Sequence, residues 1–213
     1  MYARRRTGVG IWITFPEPPT GKGKHRPGPS GFISTAVDDS DMDVRDAILE
    51  RRSVRSYADR PLSRETIETV LDSVRMAPSA SNRQDWRFVV ADDEETIEAL
   101  YEAAEQQDFV LEAGAVIAGV ATDPETEMQC GMRAGVVDVS IALDHLMLRA
   151  AEEGLGTCWL GAFDQDESRE ILGVPDDEEI VALMTIGYPE TALRKTDKDR
   201  KSLDEIVSYV SGE

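Results

Sequence analysis

Cysteine, histidine and lysine are scarce in this chain. Its 213 residues include two cysteines, two histidines and five lysines, against 18 arginines. Cys130 and Cys158 form no Cys-x-x-Cys pair and show no ligand spacing, so we expect neither a zinc nor an iron–sulfur site. Two cysteines also make no disulfide framework. We therefore predict a reduced, cytoplasmic protein that binds no metal.

Long apolar runs are also missing, and positive charge is in short supply. No stretch of about 18 apolar residues occurs, so we expect no membrane span. The apolar run at residues 9–13 is too short for a signal peptide. The chain has 23 basic and 42 acidic side chains, a formal charge of −19, which argues against nucleic acid and membranes as partners. An acidic, lysine-poor composition resembles that of halophilic proteins, with an ordinary acidic enzyme as the alternative.

The first 41 residues differ from the rest in composition. Prolines and glycines alternate there from Pro16 to Gly31, and such a segment buries too little apolar surface to offset the entropy lost on ordering. We predict that residues 1–41 are a disordered N-terminal extension. Residues 42–213 are long enough for one domain with its own core. They contain 17 basic and 38 acidic side chains, a formal charge of −21.

Hydrophobic periodicity predicts an α+β domain. The helix at residues 131–153 is apolar over most of its surface, which is typical of a central helix. Several connections are too short for crossover helices, so we expect a mixed sheet rather than a doubly wound one. The predicted helices are residues 43–52, 63–77 with Ser63 as the N-cap, 93–107, 131–153 and 164–172. The predicted strands are residues 86–91, 115–121, 157–161 and 180–187.

Three arginines within five residues stand out in so acidic a chain. Residues 51–55 read Arg-Arg-Ser-Val-Arg, and Lys198 and Arg200 form a second basic pair near the other end. The planar donor fork of arginine suits phosphate oxygens, and a serine hydroxyl adds a neutral donor. The pattern indicates a phosphate site. The alternative is solvated charge at a helix end, paired with Glu50 and Asp59.

The residues around this cluster resemble the opening motif of the FMN-dependent nitroreductase family. That motif is residues 51–57, Arg-Arg-Ser-Val-Arg-Ser-Tyr. Three more segments match in the family's order: residues 77–86, residues 154–161, and the Gly-Tyr-Pro at 187–189 followed by the basic pair at 198–200. The resemblance runs from about residue 43 to residue 210. Asp85 stands where the family usually has proline.

The resemblance implies a nitroreductase-like α+β fold, with a mixed central sheet flanked by helices. It also implies an intertwined homodimer, with the helix at 131–153 at its centre, and FMN as the bound cofactor. The implied FMN-binding residues are Arg51, Arg52, Ser53, Arg55, Pro78, Ser79, Ala80, Ser81, Asn82, Trp159, Leu160, Gly161, Lys198 and Arg200.

These residues have different implied roles. The basic pair at 198–200 and the residues at 51–53 would hold the phosphate and ribityl chain, and Arg55 would approach the N1–O2 edge, where a cation stabilises the reduced flavin. Asn82 would reach the flavin across the dimer, and the Gly161 N–H would face N5. Trp159 and Leu160 would pack on one face of the ring, with a plain core position as the alternative for Trp159.

The implied activity is hydride transfer from NAD(P)H, through bound FMN, to a nitroaromatic, a quinone or a similar small acceptor. No Ser–His–Asp, Cys–His or paired-carboxylate arrangement stands out, so we predict no catalytic side chain. One alternative is a specialised relative that fragments flavin or dehydrogenates a ring. Another is a flavin-binding redox sensor without turnover.

Overall fold

The computed structural model describes residues 42–195 and 198–210, together with the backbone of two short strands near the N-terminus. The chain divides into two units, residues 1–38 and residues 39–213. In the first unit, β1 (Ala3–Arg6) pairs antiparallel with β2 (Trp12–Phe15). We predicted disorder for all of residues 1–41. This strand pair lies within that segment, and the other residues of the segment lie outside the described residues.

The second unit combines helices with one four-stranded sheet, in the order β3-β4-β6-β5. Each predicted helix and strand is present, with ends that differ by a few residues. The helices are α1 (Val44–Glu50), α2 (Arg64–Leu71), α3 (Glu94–Ala103), α4 (Ala134–Glu152), α5 (Gln165–Leu172) and α6 (Leu203–Ile206). The strands are β3 (Trp86–Ala91), β4 (Ala115–Ala121), β5 (Gly156–Leu160) and β6 (Glu179–Gly187).

Side-chain caps decide where four of these helices begin. The side chains of Asp43, Ser63, Asp93 and Asp164 each accept a hydrogen bond from the backbone N–H three residues further on. Such caps satisfy donors that have no partner within the helix. We predicted Ser63 as a cap but placed the three aspartates inside their helices. The capping rule would have placed the start of each of those three helices one residue later.

The four strands of this sheet all pair antiparallel. Within the described residues, the one parallel pairing is an isolated bridge between Ser53 and Thr157. The bridge lies along the edge of β5 that β6 does not occupy. The mixed character expected for the sheet is confined to this bridge, which brings the arginine-rich residues to the sheet edge.

Both faces of the sheet carry apolar layers. On one face, Leu143 and Leu146 of α4 share a buried cluster with Ile117 and Met184 of the sheet. The other face carries a second cluster, which includes Leu100 of α3. Because β4 lies in the middle of the sheet and is covered on both faces, all seven of its residues are buried.

The central helix predicted at 131–153 is shorter in the structure and less completely buried. It begins at Ala134, so Met132 precedes it and is 58% exposed. Val136 also lies on an exposed face. In the described part of the chain, no helix combines the length and the apolar character that a membrane crossing requires.

Candidate functional site

The arginine segment, which we define as residues 51–57, lies between two pieces of extended chain. On one side, Ser53 forms the parallel bridge with Thr157 of β5. On the other side, Tyr57 pairs with Pro189, just beyond the end of β6. Backbone contacts on both sides therefore fix the direction of its side chains.

The arginine segment has an inner and an outer face. Val54 and Tyr57 are buried, and the Tyr57 hydroxyl hydrogen-bonds to Thr185 Oγ1 at 2.8 Å. Burial raises the pKa of Tyr57, so its hydroxyl stays protonated and serves the core. Ser53 and Arg55 are exposed. The outer face thus presents the polar groups that could bind a ligand.

Lys198 connects the second basic pair to the arginine segment. Its ammonium donates to the Ile48 carbonyl at 3.0 Å and to the Arg51 carbonyl, both at the C-terminal end of α1. A cation is favourable there because the last carbonyls of a helix carry partial negative charge. We predicted Lys198 only as a phosphate ligand. In the structure, two of its three N–H donors bind the end of α1.

Arg51, Lys198 and Arg200 form what we call the cation cluster. Burial lowers the pKa of Lys198, and the positive charges of Arg51 and Arg200 lower it further. Arg51 and Arg200 therefore each lie close enough to Lys198 to disfavour its positive charge. Such repulsion is unfavourable unless an anion offsets it.

None of the ion pairs among the described residues supplies that anion. They include neither the cation cluster nor Arg52 nor Arg55. The alternative pairing with Glu50 and Asp59 is therefore not found. In a chain with 42 acidic and 23 basic side chains, cations that pair with no acid of the described residues indicate a site for an external anion.

Arg52 and Arg55 have different contacts from the cation cluster. The Arg52 guanidinium donates to the Thr191 carbonyl at 3.0 Å, which holds the chain after β6 against the arginine segment. The Arg55 guanidinium carbon lies 5.8 Å from the centre of the Phe109 ring, within cation–π distance. A cavity beside these arginines is lined by Arg52, Ser53, Val54, Arg55, Ser56, Pro189, Glu190 and Thr191.

The end of β5 presents Trp159 and Gly161 to solvent. Trp159 is 36% exposed, so it is not a plain core residue. A Cβ built on Gly161 meets no atom within 4 Å, which leaves its backbone open to a ligand. The side chain of Leu160 is buried in the core. Of these three predicted residues, Trp159 and Gly161 are the accessible ones.

Cys158 lies directly beneath the outer face of the arginine segment. Its thiol is buried, and burial raises its pKa, although the Arg55 charge and a hydrogen bond with Ser53 act in the opposite direction. The thiol therefore stays neutral at neutral pH. A neutral, buried thiol is a poor nucleophile.

The remaining predicted residues lie in the asparagine loop, which we define as residues 78–85. Ser81, Asn82 and Gln84 all have left-handed φ angles, between 54° and 57°. This backbone region is unfavourable for residues other than glycine. Pro78 is exposed at its start, and the Ser79 hydroxyl accepts a bond from Gln84 N–H at 3.1 Å. The loop therefore has a specific, strained shape.

A buried carboxylate that we did not predict binds the asparagine loop from the side of α4. The Ala80 N–H donates to both carboxylate oxygens of Asp138, at 3.0 and 3.1 Å. Asp138 lies on α4 and is 5% exposed. In the sequence, the signal that could have indicated this contact is an aspartate at a position of the helical repeat that is otherwise apolar.

Asp85 replaces the usual proline with an ion pair. Arg83 Nε donates to Asp85 at 2.6 Å, and Arg83 also pairs with Asp123. A hydrogen bond from Thr126 and the Arg83 charge hold the pKa of Asp123 below its usual value. Polar contacts thus hold the outer side of the asparagine loop. Among the described residues, no hydrogen bond or ion pair joins residues 78–82 to the cation cluster.

The sequence is similar to known proteins over most of its length. A model of the nitroreductase family matches residues 48–123 and 103–188. A protein of Archaeoglobus fulgidus that carries the name NADH dehydrogenase/NAD(P)H nitroreductase is 35% identical over 162 residues, which are 74% of this chain and 89% of that protein.

Solved structures share the fold. A nitroreductase family protein from Clostridium difficile 630 has a TM-score of 0.70 and 33% identity, over 80% of this chain and 99% of that one. An FMN-dependent nitroreductase from Clostridium difficile R20291 has a TM-score of 0.68 and 26% identity, over 79% and 99%. These similarities confirm the predicted fold class.

The contact between the arginine segment and β5 depends on a glycine. A Cβ on Gly156 would come within 2.6–2.9 Å of the Val54 side chain. Because Val54 is branched and buried, the arginine segment would have to shift. We expect Gly156→Ala to lower the free energy of unfolding by about 1–3 kcal/mol, measured by urea denaturation of the ligand-free protein.

Gly161→Ala is the matched control for this prediction. Since a Cβ at Gly161 has free space, we expect a change within about 0.5 kcal/mol. Adding Val54→Ala to the Gly156 variant should recover part of the loss, because two of the crowded methyl groups are removed. Equal losses at Gly156 and Gly161 would contradict the close approach of Val54.

Proposed function

The chain belongs to the nitroreductase family, and we propose that it is an FMN-dependent oxidoreductase that uses NAD(P)H to reduce a nitroaromatic, a quinone or a similar small acceptor. The observation that carries this proposal is the cation cluster. Its three positive groups lie together at the end of α1 without an acidic partner among the described residues. They fit a phosphate monoester, the terminal group of FMN.

The three cations would hold that phosphate in different ways. Arg51 and Arg200 can each offer a planar pair of donors to the phosphate oxygens. Lys198 already donates to two helix carbonyls, so it has one N–H left for the phosphate. Lys198 would therefore serve mainly as a point charge and as the support that keeps Arg51 at the site.

The groups beside the cation cluster fit the remainder of the cofactor. Ser53 and Arg55 offer a hydroxyl and a guanidinium on the exposed face of the arginine segment. Trp159 offers a partly exposed ring, and Gly161 an open backbone. When bound, FMN would supply the two-electron chemistry, accepting hydride from NAD(P)H and passing it to the acceptor. Arg55 would place positive charge where reduction develops negative charge.

The protein's part in this chemistry is binding, orientation and charge. The Tyr57 hydroxyl is hydrogen-bonded within the core, and both Tyr57 and Cys158 have raised pKa values because they are buried. Neither therefore offers a proton or a thiolate at neutral pH. Water or the acceptor would supply the proton, so a dedicated acid is not required.

We also propose that the active form is a homodimer. The C-terminal segment from residue 203 to residue 210 has a row of exposed apolar side chains, and Tyr209 is 86% exposed. Val44 and Ile48 of α1 are exposed as well. Apolar surface of this extent commonly marks a protein interface. The lack of bonds between the asparagine loop and its own cation cluster also supports a site shared by two chains.

Rapid reduction and reoxidation would test the proposed activity. We expect anaerobic mixing of the FMN-loaded protein with NADH or NADPH to remove the oxidised flavin absorbance, and a quinone or a nitroaromatic to restore it within the time of turnover. Arg55→Ala should slow the reduction while FMN remains bound, because positive charge is lost where negative charge develops. Reduction followed by reoxidation in air alone would contradict the enzyme and favour the redox sensor.

Paired ligands would test the phosphate site. We expect Arg51→Ala and Arg200→Ala each to weaken FMN binding about ten- to a hundredfold, since a charge-assisted hydrogen bond is worth roughly 1.5–3 kcal/mol. Riboflavin lacks the phosphate, so its affinity should hardly change. Fluorescence titration of flavin-free protein measures both affinities.

Arg149→Ala is the control for loss of positive charge. Arg149 pairs with Glu152 and Glu153 on the outside of α4 and belongs to none of the motifs, so FMN affinity should stay at the wild-type value. A fall in riboflavin affinity as large as the fall in FMN affinity would mean that Arg51 and Arg200 support the fold rather than the phosphate.

Scattering mass would test the dimer. We expect twice the chain mass for the FMN-bound protein across a range of salt concentrations, since obligate interfaces bury on the order of 2,000 Å² or more. Tyr209→Ser and Ile206→Ser should shift the mass toward one chain, because they remove exposed apolar groups. A single-chain mass with FMN still bound would rule out a site shared between two copies.

A further inference from the structure

Asp138 is a buried acidic side chain that has no role in the phosphate site. It lies on the face of α4 that packs on the sheet, between apolar residues such as Val139 and Ala142. None of the ion pairs among the described residues includes it. Burying a carboxylate without a cation is costly. The position therefore needs a reason beyond packing.

The contact that Asp138 makes supplies a reason. Ala80 begins a short 3₁₀ turn, Ala80–Asn82, and the first N–H groups of such a turn have no partner within it. Both oxygens of Asp138 accept from the Ala80 N–H. A charged acceptor makes a stronger hydrogen bond than a neutral one. Asp138 thus caps a turn that lies 58 residues away along the chain.

The capped turn is strained. Ser81 and Asn82 follow Ala80 directly, and both have left-handed φ angles, 54° and 55°. Each such residue costs on the order of 1 kcal/mol or more, and persists only where surrounding contacts favour it. The ion pairs of Arg83 hold the solvent side of the asparagine loop, where water weakens them. The bond from Ala80 to Asp138 is partly buried, so water weakens it less than those ion pairs.

We propose that Asp138 is a positioning residue, which holds the Ala80 N–H so that Asn82 is presented to the flavin in one backbone conformation. This inference rests on the proposed function and on the flavin contact that the family resemblance implies for Asn82. Without the cap, the turn can relax to ordinary φ angles and Asn82 turns away. The apparent affinity for flavin is then the intrinsic affinity multiplied by the fraction of molecules in which the loop keeps the flavin-binding conformation.

Substitutions at Asp138 would test this role with two readouts. We expect Asp138→Ala to raise the dissociation constants of FMN and of riboflavin by a similar factor, about tenfold, if the competent loop falls to roughly a tenth of the molecules. The parallel change distinguishes loop positioning from the phosphate arginines, which affect FMN alone. Hydrogen exchange of the Ala80 amide should speed up about tenfold in the flavin-free protein, while amides in the middle of α4 keep their rates.

Two further variants make the result interpretable. Asp138→Asn keeps the shape of the side chain but can accept through only one oxygen. We therefore expect both dissociation constants and the Ala80 exchange rate to rise by about a third of the factor seen with Asp138→Ala. Asp144→Asn is the matched control, because Asp144 is an exposed acid on the same helix and its loss changes the net charge equally. It should leave the exchange rates and both affinities unchanged.

The outcomes separate the positioning role from the proposed function. Wild-type affinities for both flavins in a folded Asp138→Ala protein would overturn the role of Asp138, and so would faster exchange at Ala80 with unchanged affinities. If Asp138→Ala does not fold, wild-type exchange and affinities in Asp138→Asn overturn it instead. Failure of the unmodified protein to bind FMN would overturn the proposed function itself, together with the role that depends on it.

Discussion

The pairing of the arginine segment with the free edge of β5 is the contact on which the site depends. The Val54 N–H donates to the Thr157 carbonyl at 2.9 Å, and Gly156 allows the Val54 side chain to approach the strand closely. This register buries Val54 and Tyr57 and leaves the serine and arginine side chains outside. The same pairing fixes where α1 ends, and therefore where the charges of the cation cluster can lie.

Electrostatics explains why these charges are exceptional. The protein carries an excess of acid, and most of the other arginines among the described residues are paired with nearby carboxylates, as Arg83, Arg133 and Arg149 are. In the cation cluster, the neighbours are instead other cations and the carbonyls at the end of α1. An anionic ligand would relieve the repulsion, and this relief would contribute to its binding free energy. Lys198 combines a structural contact with this electrostatic role.

The central helix α4 has two roles, which require apolar residues at some positions and a polar residue at another. Its inner face must be apolar to pack on the sheet, and Leu143 and Leu146 meet that need. Asp138 interrupts this face with a charge, and its carboxylate binds the strained asparagine loop. A core helix is rigid, so a loop bound to it is held more precisely than a loop supported by exposed ion pairs.

The sequence by itself determined the five longer helices and the four strands of the larger sheet, because burial repeats every two or 3.6 residues and short-range caps set the helix starts. It also determined the family and the set of basic residues, since these are contiguous motifs. Only the tertiary structure decided that Arg52 binds Thr191, 139 residues away, that Lys198 caps α1, that Asp85 pairs with Arg83 and that Asp138 holds Ala80. Apart from the local Arg83 pair, these contacts join distant parts of the chain, and they depend on which elements pack together. The period of a single segment carries no information about that packing.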